Sequence, residues 1–264
     1  MILENVIGGE VNPNVFNDNI ERLEITTSQS WKVPHTGKYA VIICGGGGSG
    51  GGASKSYSIY GVCGGQGGGV DFAIIDMIKD DEYDVIIGAG GTGITSNVVS
   101  EGNSGGNSLF GDLLKCQGGA GGIKYSQDGN FTIGDNSLTG YKRGALPLAN
   151  VSRSSSDSYS DRDISLHGTN STAPENIFGL LQTSQNHGGS VTLSVNGTNS
   201  ESGQFTGGGS PSIGSGGNAS FTGDAISDDC VLGAGSGAAF SKNTNSATSG
   251  SGGDGICYIF YMKQ

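Results

Sequence analysis

The chain has 264 residues, of which 52 are glycine, 34% are hydrophobic and 14% are charged. Its formal charge of −11 excludes an ordinary phosphate-binding surface, because nucleic-acid affinity rests on Lys and Arg. No apolar run approaches the ~18 residues of a membrane-crossing helix, and five cysteines without a CxxC spacing give neither a zinc site nor a disulfide framework.

Glycine at roughly three times its usual ~7% share can signal disorder. Here the apolar residues gather into short runs between glycine tracts, which is the pattern of a folded framework. Residues 1–24 differ in composition: they hold Pro13, several Asn and little glycine. They read as an attachment arm for a neighbouring protein. The start has neither a basic segment nor a long apolar core, so no secretory signal is expected. The cysteines Cys44, Cys63, Cys116, Cys230 and Cys257 then fit assembly in a reducing cytoplasm.

Strand signals begin at 24–33, with Ile25, Thr27 and Trp31, and end at Pro34 and a turn through Gly37. Residues 39–44 form a continuous apolar run of strand length, so both faces should be buried. Further strands are expected at 70–75, 83–87, 108–116 and 191–195. The last is 256–262, again almost wholly apolar. Only 74–79 has the character of a helical turn, too short to stand alone. Together these predict an all-β fold: an antiparallel, jelly-roll-like sandwich over residues 25–264. Pairing the first strong strand with the last closes it.

Glycine runs occupy 45–48, 50–52, 64–69, 118–122, 207–209, 214–217, 233–237 and 250–255, with a few interruptions. Glycine alone lets backbones approach within hydrogen-bonding distance on all sides, as at the collagen axis. The tracts are therefore expected to pack side by side as polyglycine-II helices, each satisfying the others' backbone groups. The alternative is flexible linkers, which have no reason to alternate with buried strands. Trp31, Tyr39 and Phe110, with Gly45, Gly67, Gly88 and Gly255, are the expected structural positions.

Between the tracts lie loops rich in Tyr, Ser and Asn, above all an insert at about 123–206. Tyrosine gives contact area at low entropic cost, and small polar residues adapt to a partner. Tyr57, Tyr60, Tyr125, Tyr141, Tyr159 and His167 are the candidate binding residues.

Apparent catalytic motifs do not survive inspection. Gly47-Gly48-Ser49-Gly50-Gly51 matches G-x-S-x-G, but glycine cannot form the helix that a nucleophile elbow requires. The segment 50–56 lacks the lysine spacing of a phosphate loop. His35, His167 and His187 stand apart, so no metal cluster is expected. The acidic stretch 128–135 lacks the closing carboxylate of a calcium loop, and no carboxylate pair is singled out for glycan cleavage. No cofactor and no enzyme activity are expected.

Four landmarks in order carry a family resemblance. Residues 31–48, WKVPHTGKYAVIICGGGG, resemble the opening of glycine-rich domains in phage tail-fibre and minor tail proteins. Residues 84–93, DVIIGAGGTG, resemble their V-x-V-G-x-G-G segment. Residues 105–111, GGNSLFG, and 250–261, GSGGDGICYIFY, resemble their G-G-x-S-x-F-G step and closing strand. The resemblance implies a sandwich extended by polyglycine helices at the distal end of a virion tail fibre, whose loops bind a bacterial surface receptor. It also implies docking to other tail or baseplate proteins through residues 1–24, and a homotrimer, with no nucleic acid and no membrane insertion. A related architecture binds a cytokine in an animal receptor tyrosine kinase ectodomain. A purely structural tail role and a secreted glycine-rich matrix or ligand-binding role are the other readings.

Overall fold

The computed structural model describes residues 20–54, 61–62, 64–98, 100–122, 124–125, 176–177, 181–182, 191–192, 204–205, 220–222, 233–241 and 246–263. In chain order the strands begin with β1 (Ile20–Ile25), β2 (Gln29–Lys32), β3 (Gly37–Cys44), β4 (Gly52–Ser54), β5 (Gly61–Val62), β6 (Val70–Met77) and β7 (Glu82–Ile86). β8 (Thr95–Ser96), β9 (Ser108–Phe110), β10 (Leu114–Cys116), β11 (Lys124–Tyr125), β12 (Asn176–Ile177) and β13 (Leu181–Gln182) follow. The chain continues through β14 (Val191–Thr192), β15 (Gln204–Phe205), β16 (Ser220–Thr222), β17 (Ala239–Ser241) and β18 (Ala247–Thr248) to β19 (Ile256–Met262). The described residues contain no helix, and the fold is all-β.

Two four-stranded antiparallel sheets form the sandwich. Sheet 1 has the order β1-β19-β3-β6, and sheet 2 the order β10-β9-β7-β2. The first and last apolar runs pair, from Ile256 opposite Cys44 to Tyr261 opposite Tyr39. The inner faces meet in one core. Ile25, Tyr39, Val41, Ile43, Met77, Cys257 and Ile259 come from sheet 1, and Trp31, Val85, Phe110, Leu114 and Cys116 from sheet 2. Each such aliphatic or aromatic side chain stabilises the fold by roughly 1.5–3 kcal/mol on burial. Aromatic packing adds direction: Trp31 meets Tyr39 edge-on at 5.6 Å, and Tyr83 stacks on Phe110 at 5.1 Å. Ile42, Cys44, Ile256, Tyr258 and Phe260 form a second buried cluster on the other face of sheet 1. Over 41–44 of β3 and 256–260 of β19 both faces are thus dry, which is why those stretches read as unbroken apolar runs.

Four expectations change. Residues 20–24 do not belong to a separate arm: β1 starts at Ile20 and pairs with β19 from Ile20–Met262 to Ile25–Cys257. Residues 1–19 lie outside the described residues. The run 24–33 is two strands in different sheets, because the chain crosses the sandwich at 26–28. There the Ser28 hydroxyl takes the Ile87 N–H at 2.9 Å. The stretch 74–79 is not helical. β6 continues to Met77 opposite Gly37, and the chain turns at 78–81 with Asp80 at φ 73°. That strained residue donates its N–H to the Val33 carbonyl at 3.0 Å. The expected strand 108–116 is a hairpin, β9–β10, turning at Gly111 with φ 49°.

At the base of the sandwich the Tyr39 hydroxyl donates to the His35 carbonyl at 2.7 Å and lies 3.2 Å from His35 Nδ1. With its proton committed, the Tyr39 oxygen accepts from Nδ1–H. His35 Nε2 is buried without a hydrogen-bond partner among the described residues.

Candidate functional site

Among the described residues seven glycine-rich tracts leave the other end of the sandwich: 45–51, 64–69, 88–94, 101–107, 117–122, 233–238 and 250–255; the expected runs 207–209 and 214–217 lie outside the described residues. Six of the seven directly continue β3, β6, β7, β9, β10 and β19. Tract 45–51 lies at the centre. The N–H groups of Gly45, Gly46 and Gly47 donate to the carbonyls of Gly69, Gly106 and Gly253 at 2.8–3.0 Å. Gly48 and Ser49 then return to the first two tracts, donating to Gln66 and Asn103 at 2.8 Å. The partner recurs every third residue, which is the symmetry of a polyproline-II-type helix with three residues per turn.

The carbonyls repeat in the same way. Gly46, Gly47 and Gly48 accept from the N–H groups of Gly119, Gly91 and Ser236, and Ser49 and Gly51 accept from Gly122 and Ala239. The central tract therefore has six neighbours, three that accept from it and three that donate to it, in alternation. The accepting tracts run antiparallel to the centre and the donating ones parallel. The outer six also bond to one another in a closed ring: 64–69, 117–122, 101–107, 88–94, 250–255, 233–238 and back to 64–69. Among the described residues only Gly111 and Gly233 have glycine φ values in the left-handed range, so the tracts share one hand. Gly233 sits at the entry of its tract, against Cys44 and Gly45.

Close packing makes glycine obligatory at many of these positions. A Cβ on Gly47 would lie 1.9 Å from the Ala234 oxygen, and one on Gly88 2.0 Å from the Gly106 oxygen. Gly45, Gly67 and Gly255 are likewise buried in the bundle. Side chains complete the pairing where backbone partners run out. Ser236 Oγ accepts from the Gly50 N–H at 2.7 Å and donates to the Gly250 carbonyl, extending the three-residue repeat through a hydroxyl. On the outside, Asn107 and Ser104 take the N–H groups of Gly118 and Gly121, at 2.9 and 3.3 Å. Donor and acceptor are each spaced by three residues.

The bundle fixes where the loops go. Tracts leaving the sandwich end in β4, β8, β11 and β17, and tracts returning to it follow β5 and β18. These short strands, β4, β5, β8, β11, β17 and β18, lie at the tip, opposite the sandwich. The β11–β5 pair sets Tyr125 opposite Gly61, beside the segment 55–60 that carries Tyr57 and Tyr60. Both ends of the long insert meet on β5, since Phe205 of β15 pairs with Val62. The ladder thus brings the two ends of the insert together on β5, the strand that follows the first loop. Tyr57, Tyr60, Tyr141, Tyr159 and His167 lie outside the described residues. Trp31, Tyr39 and Phe110 are in the sandwich core. The lateral Asn–Ser ladder is not among the sequence expectations, although the S-x-x-N spacing of Ser104 and Asn107 along a tract is visible there.

The described residues hold no group of three His, Cys, Asp or Glu placed to bind a metal. Burial pushes the Cys44 and Cys257 thiols up to about 12. Burial also raises Cys116 well above the usual thiol range, helped by the neighbouring Cys44 and Asp71. All three are unpaired, buried, and protonated at neutral pH, so none is a reactive nucleophile.

These features define a class: an all-β sandwich carrying a hexagonal bundle of glycine helices. The chain belongs to the glycine-rich domain family, whose sequence model matches residues 24–262. No curated protein matches it.

Proposed function

We propose that this protein is a tail-fibre or tail-tip component of a bacteriophage-type particle that binds a receptor on the bacterial surface. The observation that carries the reading is the polarity of the molecule. The sandwich, with β1 leading out to residues 1–19, forms one end; the short strands β4, β5, β8, β11, β17 and β18, from which the loops depart, form the other. A bundle cross-linked by backbone hydrogen bonds is stiff without a large apolar core. It holds the tip loops at a fixed distance from the base at little ordering cost on contact. The Tyr/Ser/Asn composition of those loops suits an adaptable binding surface, and the four sequence landmarks favour the phage setting. Attachment works through many weak contacts multiplied by several tips on a repeating surface, and no bond-making chemistry is involved.

The test uses labelled, folded protein on a panel of bacterial strains. Saturable, strain-selective binding that competes with particle adsorption is the expected result. Replacing Tyr57, Tyr60 and Tyr125 together should abolish it while the fold persists. A folded protein that binds none of the strains, but is buried in an assembled tail, would replace the reading with a purely structural role.

A further inference from the structure

The two edges of sheet 1 are finished differently. On β1, the exposed Glu21, Arg22 and Glu24 line the edge, and Arg22 pairs with Glu24 at 2.8 Å while covering the Tyr258 ring at 4.7 Å. Charges of this kind protect an edge from pairing with other strands. The opposite edge, β6, is an eight-residue strand that pairs with β3 along its full length. No strand covers its other side among the described residues. Its Phe72 N–H turns to the Asp71 carboxylate at 3.0 Å instead of to β3. By the alternation of antiparallel ladders, the backbone groups of Ile74 and Asp76 then also point away from β3.

This edge carries Asp71 and the exposed Asp76, which pairs with Lys38, but between them it exposes an aliphatic side chain. Ile74 is 40% exposed and Ile78 64%. β10, the edge strand of sheet 2, lies against β6. The turn that leads into it presents Leu113, 51% exposed. Three of the six large exposed hydrophobic residues among those described therefore share one flank of the sandwich, a concentration that marks interaction sites.

We propose that this flank is a self-association surface on which β6 pairs antiparallel with β6 of a second copy, about a two-fold axis at Ile74. The register is self-complementary. Ile74 faces Ile74, a favourable β-branched pair, and Phe72 faces Asp76 in both directions, so no carboxylate meets a carboxylate. An axis at Asp76 would oppose two like charges and is disfavoured. With the axis normal to the sheet, both second sheets stay on the same side. The two β10 edges then approach each other, and Leu113 joins the seam. The result is an isologous interface built on a continuous eight-stranded sheet, with a glycine bundle at each end of the dimer.

Sedimentation velocity of the full chain across the micromolar range tests this. A concentration-dependent dimer is expected. Ile74→Lys should weaken it at least tenfold, whereas Ile86→Lys, an equally exposed aliphatic on a central strand of sheet 2, should leave it unchanged. Circular dichroism checks that both variants fold. A second variant guards against misfolding of the first: Ile74→Cys should give a disulfide-linked dimer on mild oxidation, since facing Cα atoms in such a pair lie ~5.5 Å apart. Wild-type protein treated identically should not. A monomer at every concentration, any oligomer indifferent to Ile74→Lys, or a folded Ile74→Cys variant that fails to cross-link would overturn the proposal.

Discussion

Gly47 and Gly37 show how differently two glycines can be held. A methyl group on Gly47 would sit inside the Ala234 carbonyl, while one on Gly37 would meet nothing closer than His35 Nδ1 at 3.6 Å. Overpacking a buried site costs typically ~1–3 kcal/mol. Here the obstacle is backbone held by its own ladder, so it cannot move aside as a side chain would. Gly47→Ala should therefore destabilise the protein by about 3 kcal/mol, and Gly37→Ala should change it by less than about 1 kcal/mol. Urea unfolding followed by Trp31 fluorescence compares the two, and equal losses would contradict the packing described. The buried thiols give a second residue-scale expectation. Cys44 and Cys257 rise from an ordinary 9.0 to about 12 in the folded chain. A raised folded value means that unfolding releases protons at high pH. The stability that these thiols contribute is thus complete below pH ~9 and lost as the pH climbs toward 12, by roughly 1.4 kcal/mol per pH unit for each thiol. Unfolding midpoints measured from pH 8 to 11 should fall accordingly. They should fall less steeply in a Cys44→Ala, Cys257→Ala double variant that remains folded.

At the scale of elements, the legible parts of the sequence were those where burial is total. β3 and β19 announced themselves because both their faces are covered over 41–44 and 256–260, and a strand dry on two sides has no reason to alternate. β1 was hidden in the supposed arm because it is an edge, with Glu21, Arg22 and Glu24 breaking its apolar pattern. The stretch 74–79 misled because Ile74 and Ile75 lie on opposite faces of β6, one exposed and one packed on the core; adjacent isoleucines fit a strand and a helical turn equally well. The glycine tracts were visible as tracts, but the ring order was not. One glycine is chemically like another, and the assignment of neighbours is made by which strand each tract continues. Where the lattice departs from glycine, the departures are informative. Ser236 stands where the central repeat lacks a backbone acceptor for Gly50. Ser236→Ala keeps the packing but leaves that buried N–H unpaired, which costs about 1–3 kcal/mol. Thermal unfolding should show the loss. A stability equal to wild type would mean that the hydroxyl relay is not needed.

The whole molecule folds around contacts that no local segment can make. The central tract takes partners from residue 66 to residue 253, and the middle strand β19 comes from the end of the sequence. Neither the bundle nor sheet 1 can close until nearly the whole domain is present, and topologies of this kind fold slowly. The same wiring predicts one cooperative unit. Six tracts are covalent continuations of sandwich strands, and each outer tract bonds to the centre and to both neighbours in the ring. Freeing one tract therefore strips hydrogen bonds from three others, and an isolated glycine segment regains no compensating contacts. Amide hydrogen exchange under native conditions tests this directly. The N–H groups of Gly46, Gly48 and Gly119 should exchange with the same opening free energy as those of Val41 and Ile259 in sheet 1, equal to the global unfolding value. Tract amides exchanging at a clearly lower free energy would make the bundle a separate, weaker unit. A tip held by such a unit would move independently of its base, and the fixed spacing between attachment end and binding loops would be lost.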